Sequence, residues 1–313
     1  MSEERTANRL DETMKQRMIR ALEGMDIRPD ESMKKHTTFK IGGLADAMIV
    51  VRSADDILRT LQFAREENVP VTIVGNGSNL LVRDGGIRGI VMKIAEGMNE
   101  SKFTNLQATV QAGCRFSLFV RESIEKNLKG LEFAGGIPGT IGGAVTMNAG
   151  AYGGCIADCL QSVTYIDEQL RLRTKTIEAG DMGYRTTIFS KHAWVVTEAG
   201  FRFQRDFDKE ARAIFEKNNA LRKQNQPIDL PSAGSIFKRP EGNFAGKLIQ
   251  EAGCQGECIG GAQVSQKHAG FIVNTGGATA QDVLTLIEKV KRRVLAHSGV
   301  ELEMEVRIVG EEE

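Results

Sequence analysis

Eight glycines fall within the twenty residues from Gly135 to Gly154, a density that no ordinary helix or strand interior tolerates. The chain as a whole has 34 glycines in 313 residues, against a typical share of about 7%. Their local concentration suits backbone shaped to lie against a ligand, not a disordered linker. A second cluster, Gly75-Asn76-Gly77-Ser78-Asn79, directly follows the apolar run Val71 to Val74. Successive N–H groups in such a turn can form a nest for phosphate oxygens, with Ser78 and Asn79 adding side-chain bonds. Asn-Gly is equally a strong hairpin signal, so this cluster alone leaves both readings open. A Rossmann fingerprint would run from the turn into a helix; here Leu80-Leu81-Val82 reads as strand. The segment from Phe133 to Ala144, taken alone, could be a tight packing turn. Two such segments in a chain poor in long linkers point together to dinucleotide binding.

The 41 basic and 41 acidic residues balance, so no global field draws the chain to nucleic acid or anionic lipid. The first twenty residues are charged throughout and read as no signal peptide. No run approaches the roughly 18 apolar residues of a membrane span. Five cysteines without a secretion signal fit a reducing compartment, and the expectation is a cytoplasmic protein. Cys155 and Cys159, with Cys254 and Cys258, form two pairs at three-residue gaps, less common than two for structural zinc. Partly buried thiols without metal are expected, and the four scattered histidines suggest no metal motif.

Leu10, Met14, Met18 and Leu22 predict an amphipathic helix ahead of Gly24. Strands are expected at 47–51, 71–74, 80–82, 90–94 and 109–112, then at 162–166, 171–177 and 195–203. Ser53 and Asp56 suit the cap and first turn of a helix reaching about residue 68. Further helices are expected at 116–127, 209–223 and 281–297, the last stopping at Gly299. The final strand alternates Leu302, Met304, Val306 and Ile308 with Glu303, Glu305 and Arg307. The mixture is α+β.

The glycine segments, with Thr37-Thr-Phe-Lys-Ile-Gly-Gly43, Tyr184-Arg185, Ser232-Ala-Gly-Ser-Ile-Phe-Lys238 and Glu305-Val-Arg307, appear in one order. That ordered set resembles the vanillyl-alcohol-oxidase and p-cresol-methylhydroxylase type flavoproteins, and within them the UDP-N-acetylenolpyruvoylglucosamine reductase family, from about Thr37 to Gly310. The resemblance implies a two-lobed FAD-binding region (1–98 and 99–209) and a C-terminal α+β substrate domain (210–313), the final strand packing back on the first lobe. It implies non-covalent FAD and NADPH as co-substrate. The expected FAD contacts are Val74, Gly75, Asn76, Gly77, Ser78, Asn79 and Leu80, then Gly135, Gly136, Ile137, Pro138, Gly139, Thr140, Gly142, Gly143, Ala144, Asn148 and Gly150.

The family's reaction reduces the enolpyruvyl group of a UDP-sugar in cell-wall precursor synthesis. It needs donors at a carboxylate and one positioned general acid. By resemblance Arg185 stabilises the enolate, its rigid fork suiting a carboxylate. Glu305 contributes electrostatically or through a proton, and Ser235 is the proton donor, in a field from Lys238, Arg239 and Arg185. From local sequence alone, Arg185 reads as a surface residue and Ser235 as a turn serine bonding its own backbone. Glu305 and Arg307 would share a strand face about 7 Å apart, which is equally a solvated edge. Tyr184, Asn225, Gln226, Lys238, Arg239, Gln263 and Arg307 are the substrate candidates. The short spans after Arg185 and Glu305 suit the class without the extra Tyr-bearing loop, which leaves the uridine contacts open. An alcohol oxidase or dehydrogenase on the same scaffold would have no reason to keep Ser235, Lys238 and Glu305 together. A non-catalytic nucleotide-binding module would need no proton donor.

Overall fold

Ser53 accepts a hydrogen bond from the Asp56 N–H at 3.1 Å and opens the helix Ala54–Glu66, whose Ile57 and Ala64 are buried. The computed structural model describes residues 9–312; residues 1–8 of the charged N-terminal stretch lie outside the described residues, as does residue 313. The helix Glu12–Ala21 is capped by Asp11 and turns Met18 inward. A four-stranded sheet follows, in the order Asp26–Ser32, Leu44–Val50, Ile87–Lys93, Val71–Val74. Its last three strands run parallel. The turn Gly75–Asn79 therefore leaves the C-terminal end of a parallel strand, where α/β sheets open their ligand crevice.

Five antiparallel strands form the second sheet, ordered Leu172–Thr176, Leu160–Ile166, Val195–Arg202, Gln107–Gln111, Ser101–Thr104. Phe119, on the helix Phe116–Glu125, meets Phe103, Phe201 and Phe203 with ring centroids 5.0–6.2 Å apart. One hydrophobic cluster spans both sheets, joining Ile49 and Met92 to Val163 and Phe201. The polar edge strand Ser101–Thr104 was not expected from sequence. Nor was the short helix Ile141–Thr146, capped by Thr140 within the second glycine segment.

The C-terminal sheet is ordered Ser232–Ser235, Phe271–Asn274, Ala262–Val264, Cys258–Ile259. The helix Ala280–Ser298 covers it with Val283, Ile287, Val290 and Val294 and stops at left-handed Gly299. Phe39, Ile41 and Leu81, from the N-terminal portion, are buried in this core. Each such side chain contributes about 1.5–3 kcal/mol on full burial. Asn274 Nδ2 donates to Phe39 O at 3.2 Å and Thr38 Oγ1 to Ser232 O at 2.7 Å. The segment 37–43 thus joins the first sheet to the C-terminal sheet.

The expected final strand is corrected by the structure. Regular pairing is confined to Arg307–Val309, parallel to Leu80–Val82. Before it the chain meets the Ser235–Lys238 segment through a Phe237–Met304 bridge and the bonds Glu305 N–H to Ile236 O and Lys238 N–H to Glu303 O, both 2.8 Å. The segment changes partners midway, so its apolar alternation does not make one continuous strand. Glu305 precedes the paired strand and is largely buried, whereas Arg307 opens that strand and is exposed.

Candidate active site

The two glycine segments touch each other. A Cβ on Gly75 would collide with Thr140 Oγ1, and one on Gly139 would lie 3.0 Å from Ser78 Oγ. Ser78 Oγ donates to Pro138 O at 3.4 Å. Gly77 has φ +60° and abuts the His36 carbonyl, so both conformation and space require glycine there. The N–H groups of Gly75, Asn76, Gly77, Ser78 and Asn79 donate to no acceptor among the described residues. In the second segment much of the backbone is already engaged: Ile137, Ile141 and Gly142 donate to Ala134 O, Cys114 O and Ala112 O at 2.8–3.0 Å. Gly142 and Gly154 also pack tightly, on Ala112 and Phe133 respectively. Val74 and Ala144 are buried, Leu80 and Gly142 partly so, and Gly143 is exposed.

Beneath the first turn lies a chain of polar groups that the sequence did not reveal. Lys93 Nζ is 2.8 Å from His36 Nδ1, and His36 Nε2 is 2.8 Å from Glu31 Oε1. Lysine has no acceptor, so Nδ1 accepts and the proton sits on Nε2, facing Glu31. Burial holds the His36 pKa below its ordinary value, and the bond from His36 holds that of Glu31 down. Lys93 ends the strand paired with Val71–Val74, so the three residues brace the origin of the turn.

Arg222 is the other residue missed. It lies on the helix Glu210–Asn225, which packs on the turn Glu132–Ala134; Asn218 Nδ2 donates to Glu132 O at 3.3 Å. Cβ atoms on Gly135 and Gly136 would press on Asn219 and Arg222. Arg222 Nε is buried without a hydrogen-bond partner, and only Gln226 Oε1 meets its Nη1, at 3.3 Å. Burial pulls its pKa down. A desolvated guanidinium at a glycine segment, with no carboxylate paired to it among the described residues, suits an anion. The signal lay in the helical spacing of Asn218, Asn219 and Arg222 on one face.

Arg185 occupies the turn between Met182–Gly183 and Thr186–Thr187, with φ +55°. A non-glycine residue in this region is strained and held by its surroundings. Asn148 supports the turn, donating from Nδ2 to Gly183 O at 2.9 Å and accepting from Ala157 N–H at 3.2 Å. Arg185 Nη2 donates to Gly150 O at 3.0 Å. Gly150 therefore meets Arg185 directly, and Asn148 holds its turn through Gly183.

Arg185 Nε stands 2.8 Å from Glu305 Oε1, but its N–H is not aimed at an acceptor. The pair is Coulombic more than hydrogen-bonded. Burial raises the Glu305 pKa, and Arg185 opposes that shift without reversing it. Ser235 ends its strand at a register shift beside Gly234, which has φ +77°. The next residue, Ile236, accepts from the Glu305 N–H, so Ser235 and Glu305 lie on adjoining segments. Lys238 pairs with Glu303. Tyr184 is exposed beside Arg185, its Oη accepting from the Arg239 N–H at 3.1 Å. Gln263 is turned toward Gly256 O and Cys258 Sγ, while Asn225 is exposed. Cys159 and Cys254 are buried, Cys155 is half-buried and Cys258 exposed.

Two family models match the chain: an FAD binding domain over residues 45–173 and the UDP-N-acetylenolpyruvoylglucosamine reductase C-terminal domain over residues 226–309. A UDP-N-acetylenolpyruvoylglucosamine reductase of Alkaliphilus oremlandii is 47% identical over 283 residues, covering 90% of this chain and 93% of the relative. One of Clostridioides difficile is 43% identical over 295 residues, covering 94% and 97%. The crystal structure of the Thermus caldophilus UDP-N-acetylenolpyruvylglucosamine reductase aligns with TM-score 0.77 at 33% identity, over 91% of this chain and 99% of that one.

Proposed function

The chain belongs to the UDP-N-acetylenolpyruvoylglucosamine reductase family, and from that premise we propose that Arg185, Glu305 and Ser235 carry the chemistry of its active site. The protein is an FAD-dependent oxidoreductase that uses NADPH to reduce the enolpyruvyl group of UDP-N-acetylglucosamine enolpyruvate, giving UDP-N-acetylmuramate for peptidoglycan synthesis. The observation that carries the assignment of roles is the Arg185–Glu305 pair, drawn from two sheets' connections into one largely buried site.

The residues present fit the cofactor. Five consecutive unpartnered N–H groups at Gly75–Asn79 suit a pyrophosphate. Arg222 supplies a buried positive charge at Gly136. When bound, FAD supplies the two-electron chemistry that no side chain possesses. The remaining work falls to the protein. Arg185 receives the substrate carboxylate and meets the negative charge that reduction leaves beside it. Its strained turn and its bond to Gly150 aim the guanidinium in advance. Ser235 gives its hydroxyl proton to the carbon next to that carboxylate, and the serine oxygen is left in the field of Lys238 and Arg185. Ionised, Glu305 balances Arg185; burial raises its pKa, which favours its taking up a proton and returning it to the site.

A division near residue 98 follows the gap between the first two sheets. The second boundary is better set near 226 than 210, because the helix Glu210–Asn225 packs on the second lobe. A cytoplasmic setting suits the five free cysteines, and among the described residues no helix is long and apolar enough to cross a membrane.

One anaerobic cuvette tests the reading. NADPH should bleach the flavin, and the enolpyruvyl sugar should restore its colour. Bleaching without recovery on adding the sugar would refute the substrate assignment.

A further inference from the structure

We propose that Phe244 and Arg239 form the platform that receives the nucleoside diphosphate end of the substrate, with the base on the free face of Phe244 and a phosphate on the Arg239 fork. This rests on the reading of Arg185 as the carboxylate anchor. Phe244 is 57% exposed, although Ala245, Leu248 and Ile249, which follow it, are buried. The Arg239 guanidinium lies over the Phe244 ring, 4.0 Å from its centroid, within cation–π range. Arg239 Nε donates to Asn243 O at 3.2 Å. Lys238 is paired with Glu303; Arg239 makes no ion pair among the described residues. Its fork is therefore held in plane by the ring and one hydrogen bond, with its Nη donors left for an anion.

The location agrees with the chemistry. Arg239 N–H donates to Tyr184 Oη, and the Tyr184 ring lies 5.3 Å from the Arg185 guanidinium. One tyrosine side chain separates the carboxylate anchor from the platform. In the substrate, a sugar ring separates the enolpyruvyl carboxylate from the diphosphate. A cleft that Arg239 also lines carries Glu241, Glu301 and Glu303 against the single further cation Lys238, which is itself paired with Glu303. That excess of carboxylates disfavours a diphosphate and favours the Tyr184 and Phe244 side. Stacking on an aromatic ring tolerates any base, and its removal by alanine costs roughly 5- to 150-fold in affinity.

NADPH also carries a nucleoside diphosphate, so the experiment has two arms. UDP and inorganic pyrophosphate are titrated calorimetrically into the FAD-loaded protein, and flavin reduction is followed against NADPH concentration. Phe244→Ala should weaken UDP about tenfold while pyrophosphate affinity holds, and Phe244→Tyr should restore UDP binding. Arg239→Lys should weaken both probes. FAD content and melting temperature check that each variant is folded. Parental UDP affinity in Phe244→Ala overturns the proposal, as does a loss confined to NADPH. Failure of the parent itself to reduce the enolpyruvyl sugar would instead strike at the function, a separate outcome.

Discussion

The side-chain amide of Asn79 donates to the main-chain carbonyl of Glu305 at 3.0 Å, and the Arg307 N–H bonds back to the Asn79 carbonyl at 3.0 Å. The residue that closes the first glycine turn thereby holds the backbone of the buried carboxylate opposite Arg185. The proposed cofactor loop and the proposed catalytic group are thus tied by two hydrogen bonds.

Asn79→Ala removes one hydrogen bond, worth about 1 kcal/mol net, and leaves the Glu305 carbonyl short of a donor at a further ~1–3 kcal/mol. A melting temperature lower by several degrees is expected, with flavin reoxidation by the enolpyruvyl sugar slowed more than reduction by NADPH. Stopped-flow absorbance measures both directions. Parental rates in both would sever the proposed link.

Ser235→Ala removes the proposed proton source and little volume. FAD content and reduction by NADPH should survive, because neither draws on this hydroxyl. Reoxidation by the sugar should fall about 10²- to 10⁴-fold, the usual contribution of a positioned general acid. Equal slowing of both half-reactions would make Ser235 a structural residue; no slowing would give the proton to another group.

Burial raises the Glu305 pKa from its ordinary value, and the opposing charge of Arg185 does not reverse the shift. The folded chain therefore holds this proton more tightly than the unfolded chain does. That contribution to stability is present below the unfolded pKa and is lost as pH rises through the raised folded value. Glu305→Gln lacks the loss, so its melting temperature should gain on the parent's across that interval, whatever constant offset comes from leaving Arg185 unpaired. A constant difference at every pH would contradict the raised value. Arg185→Lys, which keeps charge but not the planar fork, should remain severely impaired in reoxidation.

Arg222→Met should move two properties in opposite directions. The apo protein should be more stable, since an unpaired desolvated charge is gone. FAD should bind more weakly by roughly 10- to 150-fold, the value of a charge-assisted hydrogen bond of ~1.5–3 kcal/mol. Thermal melts without FAD and fluorescence titration with it provide the check. Unchanged FAD affinity would remove Arg222 from the cofactor site.

Much of the fold was legible because its signals are local. The long helix was expected at 281–297 with its stop at Gly299, and the structure has it at Ala280–Ser298 ending at Gly299. The helix Ile141–Thr146 was hidden because two of its six residues are glycines, which lower helix propensity, although its Thr140 cap was in plain view. The strand Ser101–Thr104 is a polar edge without a periodic apolar face. The misreading of 302–308 has a different origin: alternation reports which side chains turn inward, not which neighbour the backbone meets. The site was less legible still. Arg185 and Glu305 meet from distant parts of the chain, and each alone resembles a surface charge; only the ordered family motifs pointed to them. Arg222 had only the helical spacing it shares with Asn218 and Asn219, and the Glu31–His36–Lys93 chain had no motif, so burial and contacts expose them.

Asn79 and Glu305 lie 226 positions apart in sequence, and this has a consequence for synthesis of the protein. A growing chain can complete its first sheet, its glycine turns and the Arg185 hairpin long before Glu305 has been translated. Until the last residues emerge, the strand Leu80–Val82 lacks its partner Arg307–Val309 and Arg185 lacks its counter-charge. A polypeptide that stops short of Glu305 therefore lacks both that partner strand and the carboxylate we propose for the active site.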